Sequence, residues 1–335
     1  MTNSITLGRR IELLSNLGEY LERNDVNWMD AQDRAVNANP WFTPAHISLA
    51  IENIADQFLK KEKLEEWVAK YTLPEQVRKV GIVMAGNIPL VGFHDFLCGF
   101  VSGHQLLIKQ SSKDEVLLKY LLLKLGEWEP EVADQVKIAD RLNDCDAYIA
   151  TGSNNTARYF EQYFGKYPHI IRKNRTSVAV LDGAETDDEL ALLADDVYLY
   201  YGLGCRNVTQ VCVPKGYDFE RLLRAFNKHN DYADLNKYKN NYDYHLAIYL
   251  LNRVPYMSNE SLLMVENNFP FSAVSVLHYR FYDDKNVLMK ELKGSEEIQA
   301  IIGVGAGLVP FGDSQKPALS EYADGVDTMA FLCGL

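Results

Sequence analysis

Four short apolar runs punctuate residues 80–150: Val80–Met84, Leu106–Ile108, Val136–Ile138 and Ala147–Ala150. Each is long enough for a buried strand and too short for a core helix. The first leads through Ala85-Gly86-Asn87 to a helix start expected near Pro89. The second leads to a helical pattern around Glu115–Leu125, and the fourth to a helix after Thr151-Gly152-Ser153. Short apolar strands alternating with helices predict an α/β fold with a parallel, doubly wound sheet. Right-handed crossovers then place the Asn87, Lys109 and Thr151 loops at one sheet edge. Open α/β sheets bind their ligands at that edge.

The flanking regions read differently. Ile11, Leu14, Leu17 and Leu21 recur at helical spacing, as do Ile47, Ile51, Ile54 and Phe58. Between them Asn39–Pro44 is a turn, with Thr43 as N-cap and Pro44 at the first helical position. After residue 175 a second α/β region is expected. Its strands are Ser177–Leu181, Thr209–Val213, Leu262–Val265, Ala273–Leu277 and Ile298–Val304. Asp187–Tyr200 reads as a helix whose acidic first turn suits the helix dipole. Tyr232–Tyr244, rich in Asn, Asp, Lys and Tyr, reads as a polar surface excursion.

The chain has 335 residues and is 47% hydrophobic, enough for a core divided between two domains. Its net charge of −12 disfavours non-specific binding to nucleic acid or to an anionic membrane. Five cysteines without framework or zinc-site spacing suit a reducing compartment. The first six residues lack the basic start and apolar run of a signal peptide, and no apolar stretch approaches spanning length. The expectation is a cytoplasmic protein with no membrane span and no nucleic-acid partner.

Chemistry concentrates at four places. Gly202-Leu203-Gly204-Cys205 sits between a helix and a strand. Glycines allow a tight bend and close approach of a ligand, and a thiol there can serve as a nucleophile with backbone N–H groups nearby for an oxyanion. Read alone, Cys205 is either that nucleophile or a buried structural thiol, the reading that suits Cys98, Cys145, Cys212 and Cys333. Asn87 either donates to a reacting oxygen or caps the following helix. Lys109-Gln110-Ser111-Ser112-Lys113 follows the second strand, where a dinucleotide site would carry an acidic ribose ligand. Its hydroxyls and cations accept a 2′-phosphate better than a carboxylate would; otherwise it is a solvated turn. Thr151, Gly152 and Ser153 either meet a phosphate at a helix N-terminus or form a simple cap. Of seven histidines none has metal-site spacing; His94 either faces the Asn87 cleft or is structural.

Together these segments resemble the aldehyde dehydrogenase superfamily, and most closely its acyl-CoA reductase branch, which includes the fatty-acid reductase of bacterial bioluminescence. Ala85-Gly86-Asn87-Ile88-Pro89-Leu90 resembles that superfamily's Pro-Trp-Asn-Phe-Pro-Leu segment. Gly103–Ser112 resembles its cofactor strand ending in Lys-Pro-Ser-Glu. Ala150-Thr151-Gly152-Ser153 resembles Phe-Thr-Gly-Ser, and Gly202–Cys205 resembles Gly-Gln-x-Cys. The resemblance runs from about Val77 to the C-terminus.

It implies a Rossmann-type cofactor domain plus a second α/β catalytic domain, with N-terminal helices. The division is then an N-terminal helical segment, 1–75, packing on a dinucleotide-binding domain, 76–175. A catalytic domain, 176–335, follows, with a C-terminal segment returning to the cofactor domain. Cys205 becomes the nucleophile and Asn87 an oxyanion-hole residue. Lys109, Ser111, Ser112, Lys113, Thr151, Gly152 and Ser153 become cofactor contacts.

Two departures set the direction of the chemistry. The glutamate that activates deacylating water in hydrolytic members is missing from Ile171-Arg172-Lys173-Asn174, and a thioester reductase needs no such water. Ser112 replaces the ribose-binding glutamate, which favours NADPH, with NADH as the alternative. A third departure is Glu266-Asn267-Asn268-Phe269-Pro270, which lacks the glycine of Glu-x-Phe-Gly-Pro. The expected activity is NADPH-dependent reduction of a fatty acyl thioester, on CoA or acyl-carrier protein, to an aldehyde. The alternatives are acyl-phosphate reduction, NAD(P)-dependent aldehyde oxidation, and a non-catalytic nucleotide-binding subunit of a fatty-acid-modifying complex. Expected partners are the acyl carrier, a second copy of the chain, or acyl-transferring and acyl-activating subunits.

Overall fold

The structure is a computed structural model that describes residues 5–23 and 25–335. The chain begins with α1 (Leu7–Leu21), α2 (Val26–Ala38), α3 (Pro44–Phe58) and α4 (Lys61–Val68). It continues through β1 (Lys79–Val83), α5 (Phe93–Ser102), β2 (Gln105–Lys109), α6 (Leu117–Trp128), α7 (Val132–Gln135) and β3 (Val136–Ile138). Next come β4 (Ala147–Thr151), α8 (Asn154–Phe164), β5 (His169–Arg172), β6 (Thr176–Val180) and α9 (Asp187–Tyr198). Then follow β7 (Val208–Pro214), α10 (Phe219–Phe226), α11 (Asn236–Asn252), β8 (Met257–Ser258), β9 (Leu263–Glu266) and β10 (Val276–Tyr282). The last elements are α12 (Lys285–Lys293), β11 (Ile298–Ile302) and α13 (Thr328–Cys333). Contacts divide the chain into two compact units. One runs up to Asn174 and includes Pro317–Leu335; the other is Arg175–Lys316.

The first unit is built on a parallel sheet of order β3-β2-β1-β4-β5. The chain winds outward from β1 through β2 to β3, then crosses to β4 and β5, so the order reverses between β1 and β4. Val83 pairs with Lys109 on one side and with Ala150 on the other. The loops after β1, β2 and β4 therefore leave from the same edge. Beside this sheet lie the N-terminal helices. Thr6, Asp25 and Thr43 cap α1, α2 and α3 with side-chain oxygens. Leu14 and Leu17, Ile47 and Ile51, and Trp28 and Ala31 are buried in one core with Phe93, Phe96 and Phe100 of α5. Each large side chain contributes roughly 1.5–3 kcal/mol by leaving water, and this burial holds the N-terminal helices against α5 and the sheet.

The second unit carries a six-stranded sheet of order β11-β6-β7-β10-β9-β8, parallel except for β8 against β9. A capping box, Thr186 with Glu189, starts α9.

Several local expectations change. The helix expected near Pro89 starts at Phe93, because Leu90 takes a left-handed φ of 55° and its N–H is held by Asp114 Oδ2 at 2.7 Å. The strand expected over Ala273–Leu277 starts at Val276, because Ser275 is left-handed at φ 64°. The segment Tyr232–Tyr244 is no polar excursion. It enters α11, where Tyr238 and Tyr242, one turn apart, are buried.

Candidate active site

Cys205 lies in the turn between α9 and β7, half-buried. The approach to it is unusual. Tyr200 (φ 53°), Tyr201 (φ 59°) and Gly202 (φ 72°) are three consecutive left-handed residues. The glycine adopts this freely, but each tyrosine costs of order 1 kcal/mol or more. Both tyrosine rings are buried, at 4% exposure, which offsets that cost.

Gly204 to Asn207 then forms a turn closed twice. The Asn207 N–H donates to the Gly204 carbonyl at 3.1 Å. In return the Gly204 N–H donates to Asn207 Oδ1 at 2.8 Å. Cys205 is the second residue of this turn. Its own carbonyl accepts from Ser177 Oγ at 3.1 Å, and Ser177 is fully buried on β6. The first of these bonds aims the Gly204 carbonyl into the turn. In a planar trans peptide the following N–H, that of Cys205, then points the opposite way.

Burial pushes the Cys98, Cys145, Cys212 and Cys333 thiols upward from their ordinary range. A thiol held protonated is a poor nucleophile.

The loop after β9, Glu266 to Pro270, is pinned through its carbonyls. Gln210 Nε2 donates to Asn267 O at 2.8 Å, His278 Nδ1 to Phe269 O at 2.7 Å, and Thr209 Oγ1 to Pro270 O at 2.6 Å. These three donors stand on β7 and β10 and are buried. Glu266 stays exposed at the strand end.

In the first unit, Asn87, Lys109–Lys113 and Thr151–Ser153 all follow strands at the one edge. Asn87 is half-buried, and it does not cap α5, whose N-cap is Gly92. A Cβ on Gly86 would fall 2.7 Å from Ser111 Oγ and 3.2 Å from Lys113 Cβ, so only glycine lets the β1 and β2 loops pack this closely. Asn39, from the end of α2, donates to Lys113 O at 3.0 Å. Lys109, Ser112 and Lys113 are exposed, and among the described residues neither lysine forms an ion pair. Two unpaired cations and two serines on one short loop suit a multiply charged anion.

Ser153 is the N-cap of α8, its Oγ accepting from Thr156 N at 3.2 Å. A Cβ on Gly152 would lie 2.9 Å from the Phe160 ring, so a side chain there would require that ring to shift. His94 is structural: Nε2 bonds Leu319 O at 3.0 Å, and the ring packs on Phe58 and Tyr322.

Arg172 is bound to the core of its own unit. Its guanidinium meets Asp95 at 2.5 Å and Thr328 Oγ1 at 2.8 Å. Five residues that carry these loops were not singled out in the sequence: Asn39, Asp114, Ser177, Asp196 and Asn207. Each is a polar side chain beside a chemistry-bearing segment, or paired to one across the fold.

The fold is the one found in aldehyde dehydrogenases. An Escherichia coli NADP-dependent enzyme superposes with a TM-score of 0.68 at 12% identity, over 89% of this chain and 73% of that one. A mutant aldehyde dehydrogenase from Bacillus cereus gives 0.65 at 14% identity, over 90% and 72%. A mutant AldA indole-3-acetaldehyde dehydrogenase from P. syringae, in complex with NAD+ and IAA, gives 0.66 at 12% identity, over 90% and 73%. No curated protein matches the chain. The sequence profile of the acyl-CoA reductase (LuxC) family matches residues 46–222, more than half of the chain, which belongs to that family. That stretch contains Asn87, the Lys109–Lys113 loop, Thr151–Ser153 and Cys205.

Proposed function

We propose that the chain reduces a fatty acyl thioester, carried on CoA or on acyl-carrier protein, to an aldehyde, with NADPH as reductant and Cys205 as nucleophile. The observation that carries this reading is the doubly closed Gly204–Asn207 turn, which presents a half-buried thiol between α9 and β7.

Cys205 Sγ attacks the acyl carbon, the bond from that carbon to the carrier sulfur breaks, and the thiol proton leaves with the carrier. The Cys205 N–H stabilises the oxyanion that forms on the way. Asn87 is assigned the second donor on its motif. Bound NADPH supplies the hydride that takes the acyl group to the aldehyde level. Breaking the bond from Cys205 Sγ to carbon would then release the aldehyde and leave the thiolate, which takes a proton from solvent to restore the thiol.

The first unit fits the cofactor. Lys109, Ser111, Ser112 and Lys113 would hold the 2′-phosphate end, and the start of α8 at Thr151–Ser153 would take the pyrophosphate. The acidic neighbour Asp114 has Oδ2 occupied by Leu90 N–H. The glutamate that activates deacylating water in hydrolytic relatives is missing from Ile171-Arg172-Lys173-Asn174, which suits reduction over hydrolysis.

The test is NADPH consumption across acyl-CoAs of graded chain length. Turnover with at least one length is expected, and Cys205→Ala is expected to abolish it. Unchanged turnover in that variant would refute the proposal.

A further inference from the structure

We infer that Asn207 is the positioning residue of the nucleophile turn, an inference that rests on the reading of Cys205 given above. Asn207 is fully buried and spends its side chain on both flanks of the thiol. Oδ1 accepts from the Gly204 N–H at 2.8 Å. Nδ2 donates to Asp196 O at 3.1 Å and to Leu199 O at 2.7 Å. Those two carbonyls end α9, where backbone acceptors run out of helical partners. One amide therefore joins the end of the helix before the three left-handed residues to the residue just before Cys205.

This solves a specific problem. A regular helix does not continue through left-handed residues, so the ladder of α9 alone does not carry its direction into the turn. The buried amide does so instead. It also decides which peptide groups remain to face a substrate. Gly204 N–H is committed to Oδ1 and is thereby withdrawn from oxyanion stabilisation.

Asp196 extends the same linkage. Its carboxylate accepts from Gly312 N at 2.8 Å and Ser314 N at 3.1 Å, while its carbonyl accepts from Asn207. The turn is thereby tied to the segment after β11.

Only an amide serves here. Alanine removes all three bonds. Aspartate keeps an acceptor for Gly204 but sets a carboxylate against two carbonyl oxygens.

The test is single-turnover acylation by dodecanoyl-CoA, followed by intact mass, in Asn207→Ala and Asn207→Asp. The comparison variant is Leu288→Ala, a core change in the same unit that lowers stability through a remote cavity. Acylation is expected to fall about 100-fold in Asn207→Ala, and by less in Asn207→Asp. The apparent affinity for dodecanoyl-CoA should stay within about twofold, and Leu288→Ala should acylate at the parent rate. Parent-rate acylation in a folded Asn207→Ala overturns the inference and leaves the reading of Cys205 intact. So does an equal loss in Leu288→Ala. A parent chain that forms no Cys205 adduct overturns both.

Amide exchange in the parent chain gives a check that needs no variant. The Gly204 N–H is expected to exchange as slowly as the amides of β7, and exchange as fast as an exposed loop would overturn the role.

Discussion

Lys109 and Lys113 stand out in a chain that carries 46 acidic and 34 basic residues. They are exposed and without an ion-pair partner among the described residues. Other surface cations, such as Lys60 and Lys124, meet a carboxylate. Leaving two unpaired beside Ser111 and Ser112 favours an external anion. The expected outcome is that Lys113→Ala raises the KM for NADPH about tenfold, one lost charge-assisted bond, and changes the KM for NADH little. Steady-state kinetics with both nucleotides checks this, and an equal effect on both would remove Lys113 from the 2′-phosphate. The position of this loop could be read from the sequence, because it directly follows an apolar strand. Asn207 could not. A buried amide is recognised by the three backbone groups it meets, and two of them lie 8 and 11 positions away along the chain.

The loops depend on partners from other elements. Asp114 follows the Lys109–Lys113 loop and holds Leu90 N–H on the loop after β1. Burial raises its carboxyl from 3.8 to about 6. A carboxyl with a raised folded value gives stability that is complete below about pH 4 and is lost as pH rises through about 6. Asp114→Asn keeps an acceptor for Leu90 without the buried charge. Urea denaturation should therefore find the variant less sensitive to pH between about 4 and 7, by on the order of 1 kcal/mol. An unaltered pH dependence would contradict the assignment.

The same contact explains one misread boundary. Pro89 suits a first helical position, but Asp114, 24 residues on, helps hold Leu90 in a left-handed bend and α5 waits until Phe93. The α11 segment failed for another reason. Its composition is polar, and only the one-turn spacing of Tyr238 and Tyr242 marks the buried face. The helices α1 and α3 and the strands of the first sheet were legible because their apolar spacing is local and uninterrupted.

Taken as a whole, the molecule has two sheets, each with its own core, and a C-terminal segment counted with the first unit. Trp67 Nε1 donates to Tyr322 OH at 2.8 Å, and His104 Nε2 bonds Leu332 O at 2.8 Å, so α13 and its approach complete the first core. No helix among the described residues is long and apolar enough to cross a membrane. The nucleophile turn belongs to one unit and the cation-bearing loops to the other, each built by side chains distant in sequence. The central claim is that a fatty acyl group rides on one thiol of five. Peptide mapping after incubation with a fatty acyl-CoA in the absence of NADPH tests it most directly. The account predicts an acyl mass on the peptide containing Cys205 alone, discharged as aldehyde when NADPH is added; an adduct that forms on Cys98, Cys145, Cys212 or Cys333 instead, or that persists after NADPH, would contradict it.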